Sequence, residues 1–217
     1  MRKFICIWRA CLHILSNWGK LISMSNKKFR NPDNKGTEKK GEEKTSFWKE
    51  LLSWLEVFII AAAIAFVVNN FLIANSIIPT ASMEPTVMTG SRVFGSRLSY
   101  IGNDPQRGDV IIFRWPDNES IYFVKRIIGL PGESVDIIQG HVYINGEVLD
   151  EPYIAEPMYE DEGPMHFDVP EGAYFCMGDN RNNSADARYW KNTWVYRDKI
   201  VAKVGIKYWP LPIKIIE

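Results

Sequence analysis

A serine and a lysine are the residues of this chain whose surroundings best suit chemistry. Ser82 lies in the stretch IPTASMEPT, between Pro79 and Pro85, a few residues after the most apolar part of the chain. A serine hydroxyl attacks a carbonyl group at neutral pH when a nearby base takes its proton. The three histidines lie far apart and outside any motif, so another base is needed. Taken alone, Ser82 between two prolines is a turn residue.

Lys125 is the candidate base. It lies in the stretch IYFVKRII, where the alternation of a strand places Phe123 and Ile127 on the same face as the lysine. An apolar wall disfavours the ammonium form and lowers the pKa. A change from about 10.4 to about 8 corresponds to roughly 3 kcal/mol. The competing interpretation is a lysine at a strand edge whose amine reaches solvent, and the isolated residue favours it.

The charges of the chain are divided unevenly along it. The net charge of the 217 residues is zero, but residues 1–49 contain 12 Lys or Arg and 4 Asp or Glu, and so carry +8. Residues 25–46 are nearly without apolar side chains, which predicts a solvated, disordered arm. Residues 1–23 are apolar and amphipathic. They suit either a helix on a membrane surface or an extension ahead of a true start at Met24.

Residues 51–73 form the predicted transmembrane helix. These 23 residues would span about 34 Å as a helix, enough for a bilayer. Glu56 is the one charged residue among them, and it lies near the entry. The basic flank predicts that residues 1–50 are a cytoplasmic arm and that the rest of the chain lies outside the cell membrane. A cleaved signal peptide is the alternative, but its apolar region would begin nearer the N-terminus.

The body of the chain, residues 76–217, shows the period of two that is typical of strands. Residues 109–115 and 121–128 are two such strands, separated by a turn signal. Asn145-Gly146 predicts a tight hairpin, because both central residues of a type I′ turn need positive φ. The predicted fold class is therefore mainly β. A single N-terminal transmembrane helix precedes an exported antiparallel β-sheet domain, with residues 131–170 as a β-rich insertion subdomain.

Disulfide and metal chemistry are not expected. The cysteines Cys6, Cys11 and Cys176 form neither a CxxC pair nor an even framework. Cys176 lies in the apolar run Ala173–Met177 and is predicted to be a small buried core residue. No cofactor and no metal are predicted.

Four motifs of the chain resemble those of the type I signal peptidases, the membrane-anchored serine–lysine endopeptidases that remove export signals. In order, they are SMEPT, RGDVIIF, FVKRIIGLPGE and GDNRNNSADARYW, and the resemblance covers about residues 50–217. It implies a catalytic domain of the signal peptidase type, with Ser82 as nucleophile and Lys125 as general base. It also implies cleavage of exported preproteins after the small residues of A-x-A-like sites.

The resemblance also implies supporting roles around this pair. The Thr80 hydroxyl would join the backbone N–H of Ser82 as a donor to the oxyanion. Ser184 would orient the lysine amine, and Asp186 and Arg188 would pair to brace the site. Four side chains are implied to surround shallow substrate pockets: Ile78, Met83, Phe123 and Val124.

One position departs from the family pattern, and two alternatives stay open. Ala187 stands where many members have a serine, with little effect expected because the supporting serine is Ser184.

The implied partners are signal peptides of preproteins and the lipid bilayer, with no nucleic acid, and the chain is expected to be a monomer. A self-cleaving regulator of the repressor type would need a DNA-binding helix-turn-helix at the N-terminus. A membrane-tethered β-rich binding module would make Ser82 and Lys125 incidental.

Overall fold

The computed structural model of the chain describes residues 42–159 and 163–216. Several predictions fall outside the described residues: those on residues 1–23, which include Cys6 and Cys11, and those on most of the disordered arm. The described chain begins with one long helix and continues mainly as antiparallel strands. This architecture confirms the predicted fold class.

The helix, α1, comprises Glu42–Val67 and continues as a single π-helical turn, Val68–Leu72. Its part Phe47–Leu72 is long and apolar enough to cross a bilayer. Large apolar side chains are exposed along it, as expected of a helix surrounded by lipid, among them Phe58, Ile59 and Phe66. Two boundaries differ from the prediction. Residues 42–46, assigned to the disordered arm, are helical, and Ile73 already belongs to a strand.

The strands are numbered in chain order: β1 (Ile73–Ile77), β2 (Arg92–Ser96), β3 (Val110–Trp115), β4 (Asn118–Gly129), β5 (Ser134–Ile138), β6 (His141–Ile144), β7 (Glu147–Val148), β8 (Met165–Asp168), β9 (Ala173–Met177), β10 (Val195–Tyr196), β11 (Ile200–Trp209) and β12 (Lys214–Ile215). Within the described residues they form two sheets. The larger has the order β1-β2-β11-β3-β4-β9-β10, with β12 paired to β11. The smaller has the order β7-β6-β5-β8.

The smaller sheet lies within the range 131–170 that the sequence assigns to an insertion. Its hairpin turns use residues with positive φ, as the type I′ geometry requires. Asn145 and Gly146 have φ of 51° and 85°, which confirms the predicted turn. Gln139 and Gly140, at 51° and 77°, adopt the same region at the other turn.

The larger sheet is covered on both faces around β3, because alternate residues of this strand enter two different hydrophobic clusters. Ile111 and Phe113 belong to the cluster that also contains the second sheet and Cys176, which is fully buried as predicted. Val110 and Ile112 belong to the other cluster. A strand that is buried on both faces has a continuous run of apolar residues, and residues 110–113 of β3 form such a run.

Strand β4 has two differently paired halves. It pairs with β3 along most of its length, with Lys125 opposite Ile111. Its register with β9 begins only at Arg126, opposite Met177. Among the described residues, 121–125 therefore have no partner strand on that side. This edge is where the candidate site lies.

Candidate active site

Ser82 is presented by a single turn of 3-10 helix, Ala81–Met83. Thr80, the residue before this turn, is extended, with φ −123° and ψ 158°. The turn gives its last two side chains different environments. Ser82 keeps 7% of its surface exposed, whereas Met83 is fully buried in the second hydrophobic cluster. The hydroxyl of Thr80 lies 3.3 Å from that of Ser82.

Lys125 is buried in the larger sheet, with 3% of its surface exposed. Burial in apolar surroundings lowers the pKa of its amine to about 8, and the neighbouring Asp186 carboxylate opposes this shift. The ring of Phe123 lies on the same side of the strand, 6.0 Å from the amine nitrogen. Lys125 therefore has the apolar neighbour and the depressed pKa that the alternation of its strand predicts. The amine also donates a hydrogen bond of 3.0 Å to Ser184 Oγ.

A cleft of about 340 Å³ brings the two residues together. It is lined by residues 76–82, by residues 121–125 of β4, and by Asn183 and Ala185. Of the residues predicted to contact substrate, Ile78, Phe123 and Val124 line this cleft. Met83 does not, because the 3-10 turn directs its side chain into the core.

Three of the predicted supporting residues, Ser184, Asp186 and Arg188, lie in the loop that follows β9. Asp186 is fully buried and pairs with Arg188, whose Nε lies 2.8 Å from its carboxylate. The same carboxylate accepts a hydrogen bond of 3.0 Å from the backbone N–H of Gly178. Arg188 also donates to the carbonyl oxygen of Arg181 at 2.7 Å. This network fixes both ends of the loop that carries Ser184.

The sequence reasoning gave no role to the first three residues of this loop. Gly178 lies so close to the turn that carries Ser82 that a Cβ atom there would sit 2.4 Å from Ser82 O and 2.2 Å from Ser184 Oγ. Asn180 bonds to the turn twice: its backbone N–H donates to Ser82 O, and its side-chain amide donates to Ala81 O, both at 3.1 Å.

A second buried ion pair lies beside the site. Arg126, the neighbour of Lys125 on β4, donates two hydrogen bonds to the Asp179 carboxylate, at 2.9 and 2.8 Å. Both residues lie in motifs quoted above, Arg126 in FVKRIIGLPGE and Asp179 in GDNRNNSADARYW. Their pairing joins segments far apart in the chain, which spacing alone does not reveal.

The geometry places a serine hydroxyl and a buried lysine of depressed pKa in the same cleft, which is an arrangement suited to acyl transfer. The family model for "Signal peptidase, peptidase S26" matches residues 51–209. The chain therefore belongs to the signal peptidase family, peptidase S26. It is a hydrolase, and the resemblance carried by the four motifs is confirmed.

Named relatives agree with this assignment. The chain is 40% identical over 168 residues to a probable signal peptidase I-2 of Synechocystis sp., covering 74% of this chain and 75% of that relative. It is 38% identical over 158 residues to signal peptidase I S of Bacillus subtilis, covering 67% and 83%. The comparison with solved structures gives a crystal structure of a signal peptidase I from Enterococcus faecalis. The two chains share 34% sequence identity with a TM-score of 0.41, over 46% of this chain and 97% of that one.

Proposed function

We propose that this enzyme cleaves N-terminal signal peptides from exported preproteins, with Ser82 as nucleophile and Lys125 as general base. The observation that carries the proposal is the buried lysine: its amine has a pKa of about 8 and lies in the same cleft as the serine. A lysine in water has a pKa near 10.4 and is almost fully protonated at neutral pH. At pH 7 to 8 a substantial fraction of Lys125 is neutral and can accept a proton.

The reaction begins when neutral Lys125 takes the proton of Ser82 Oγ as this oxygen attacks the scissile carbonyl carbon. The negative charge that develops on the carbonyl oxygen is stabilised by the backbone N–H of Ser82 and the hydroxyl of Thr80. The C–N bond then breaks, and the lysine ammonium gives its proton to the leaving amine. Water, deprotonated by the same lysine, hydrolyses the acyl-enzyme and restores the serine.

Ser184 orients the base for both steps. Its hydroxyl accepts the hydrogen bond from Lys125 Nζ. The buried pair of Asp186 and Arg188 holds the loop that carries Ser184. Because these three residues act through the lysine, we regard them as positioning residues.

The substrate binds as an extended strand in the cleft. Residues 121–125 of β4 offer backbone groups that β9 does not use, which suits pairing with an added strand. Ile78, Phe123 and Val124 give the cleft a shallow apolar lining. Such a lining favours small side chains, as in A-x-A-like cleavage sites.

The anchor puts this site at the outer face of the membrane. The apolar part of α1, Phe47–Leu72, crosses the bilayer, and the basic segment that precedes it remains in the cytoplasm. The catalytic domain then lies outside, where export signals emerge. Protease added to spheroplasts should digest this domain and spare the arm, and the reverse pattern would refute the orientation.

The deciding experiment is cleavage of a purified preprotein by four forms of the full chain in detergent. Ser82→Ala should leave almost no activity, because the attacking hydroxyl is gone. Lys125→Arg should be equally inactive, because guanidinium does not release its proton in this range. Lys191→Arg, at an exposed position, is the matched control and should cleave at the wild-type rate. A large residual rate in Lys125→Arg with an unchanged pH profile would exclude lysine as the base.

A further inference from the structure

The peptide group between Ala81 and Ser82 is held at its carbonyl oxygen. Its N–H is the backbone donor that the proposed mechanism assigns to the oxyanion, and its C=O belongs to Ala81. Ala81 O accepts two hydrogen bonds of 3.1 Å, one from the backbone N–H of Glu84 and one from the side-chain amide of Asn180. A trans peptide group is planar, with its C=O and N–H pointing in opposite directions. Whatever fixes the carbonyl therefore fixes the direction of the Ser82 N–H.

We propose that Asn180 is the positioning residue of the oxyanion hole, acting through the Ala81–Ser82 peptide plane. The inference rests on the proposed function, in which the Ser82 N–H stabilises the oxyanion. The backbone N–H of Asn180 also donates to Ser82 O, so one residue holds the peptide groups on both sides of the nucleophile. Hydrogen bonding at a carbonyl oxygen also polarises its peptide group, which makes the N–H at the other end a stronger donor.

Neither backbone geometry nor hydrogen-bond satisfaction alone explains an asparagine at this position. Asn180 has φ −83° and ψ 79°, so its backbone is not in the left-handed region that favours asparagine or glycine. Ala81 O already accepts the Glu84 N–H, so the carbonyl would remain paired without the side chain. What the amide adds is a second, directional contact across 99 positions of the sequence.

The expected kinetic effect follows from where the oxyanion forms. Removing an oxyanion-hole donor lowers kcat by about 100- to 1000-fold in other serine peptidases. Asn180→Ala leaves the donor in place but frees its direction, so we expect kcat to fall by about 10- to 100-fold with KM within about twofold. Asn180→Asp should be worse, because a carboxylate oxygen replaces the donor facing Ala81 O. The rising limb of the pH profile should not move, since Lys125 and Ser184 are untouched.

Asn182→Ala is the matched control. Its amide belongs to the same loop but bonds to Glu156 and to the carbonyl oxygen of Pro157, away from the nucleophile turn. We expect its kcat within about twofold of wild type. An independent readout is the affinity for a peptide aldehyde, whose hemiacetal with Ser82 puts an oxygen in the oxyanion hole. Asn180→Ala should weaken aldehyde binding by at least tenfold relative to the matching peptide amide.

The experiment measures kcat, KM, the pH midpoint and the unfolding midpoint of the full-length variants in detergent. Wild-type kcat in Asn180→Ala would overturn the proposal, as would a rate loss accompanied by a shifted pH midpoint. If neither Asn180 variant folds, the residue is structural and the proposal is equally overturned. Ser82→Ala distinguishes a failure of the proposed function from a failure of the inference about Asn180. An active Ser82→Ala refutes the proposed function, whereas an inactive one beside a fully active Asn180→Ala refutes only this inference.

Discussion

Burial of Lys125 should make the native enzyme less stable at neutral pH than it would be with an apolar side chain at that position. The perturbation that tests this is Lys125→Met, which keeps much of the length of the side chain and removes the charge. Met cannot donate to Ser184 Oγ, so the hydrogen bond of 3.0 Å is lost. Because Ser184 Oγ then lacks its donor, the free energy of unfolding falls by about 1 kcal/mol.

The size and pH window of the effect follow from the pKa of Lys125 in the two states. It is about 8 in the folded chain and about 10.4 in the unfolded chain. Between these values the unfolded state binds more protons, so stability rises with pH by up to about 1.4 kcal/mol per pH unit. Above about pH 10.4 the penalty is absent. It grows as pH falls and reaches roughly 3 kcal/mol below pH 8.

The assay is denaturant unfolding of wild type and Lys125→Met at several pH values from 7 to 10.4. The Met variant should be about 2 kcal/mol more stable at pH 7 and about 1 kcal/mol less stable at the upper end. Other titrating groups are shared and cancel in the difference. The exposed Lys191→Met is the control measured at the same pH values. A stability difference for Lys125→Met that does not change with pH would refute the depressed pKa.

Activity should report the same group. The pH dependence of kcat/KM reflects ionisation in the free enzyme, so its rising limb should have a midpoint near pH 8. A midpoint near 10 would mean that the lysine is as solvated as a free one. Agreement of the kinetic and unfolding midpoints would identify one residue as both the base and the destabilising group.

Three further predictions concern residues outside the proposed serine–lysine pair. Gly178→Ala should lower the cleavage rate by about 100-fold, since its Cβ would overlap Ser184 Oγ at 2.2 Å; an unchanged rate would contradict the close contact. Asp179→Ala should lower the free energy of unfolding by about 3 to 5 kcal/mol in urea, because it leaves the Arg126 charge buried without its carboxylate; a loss under 1 kcal/mol would contradict this. Gly146→Ala, at φ 85° with open space around its Cβ, should cost about 1 to 2 kcal/mol through backbone strain alone and leave cleavage unchanged.

The strands could be predicted from the sequence because their local pattern agrees with the sheet. The alternation in residues 121–128 and the turn at Asn145-Gly146 both carry their structure in a few residues. The start of α1 could not be located this way. Residues 42–46 have few apolar side chains, but a helix once formed extends at the gain of one hydrogen bond per residue. Composition therefore indicated an arm where the backbone is helical.

The site was predictable only in part, because its contacts join distant segments. The apolar neighbours of Lys125 lie on its own strand, so the depressed pKa followed from local alternation. The contact between Asn180 and Ala81 spans 99 positions and leaves no periodic trace. Met83 is the reverse case: the family resemblance implied that it surrounds a substrate pocket, but its side chain does not line the cleft. In a 3-10 turn consecutive side chains point in different directions, and Met83 enters the core.

The charges around Lys125 explain why burial, and not a neighbouring ion, sets its pKa. The Asp186 and Asp179 carboxylates both raise this pKa and would by themselves keep the amine protonated. Each is paired, Asp186 with Arg188 at 2.8 Å and Asp179 with Arg126 at 2.8 Å. Arg188 in turn lowers the pKa of Lys125. Because the acids are neutralised in pairs, the loop is braced by strong buried contacts without placing net negative charge beside the amine. Desolvation then dominates, and the lysine can be neutral at the pH where a base is needed.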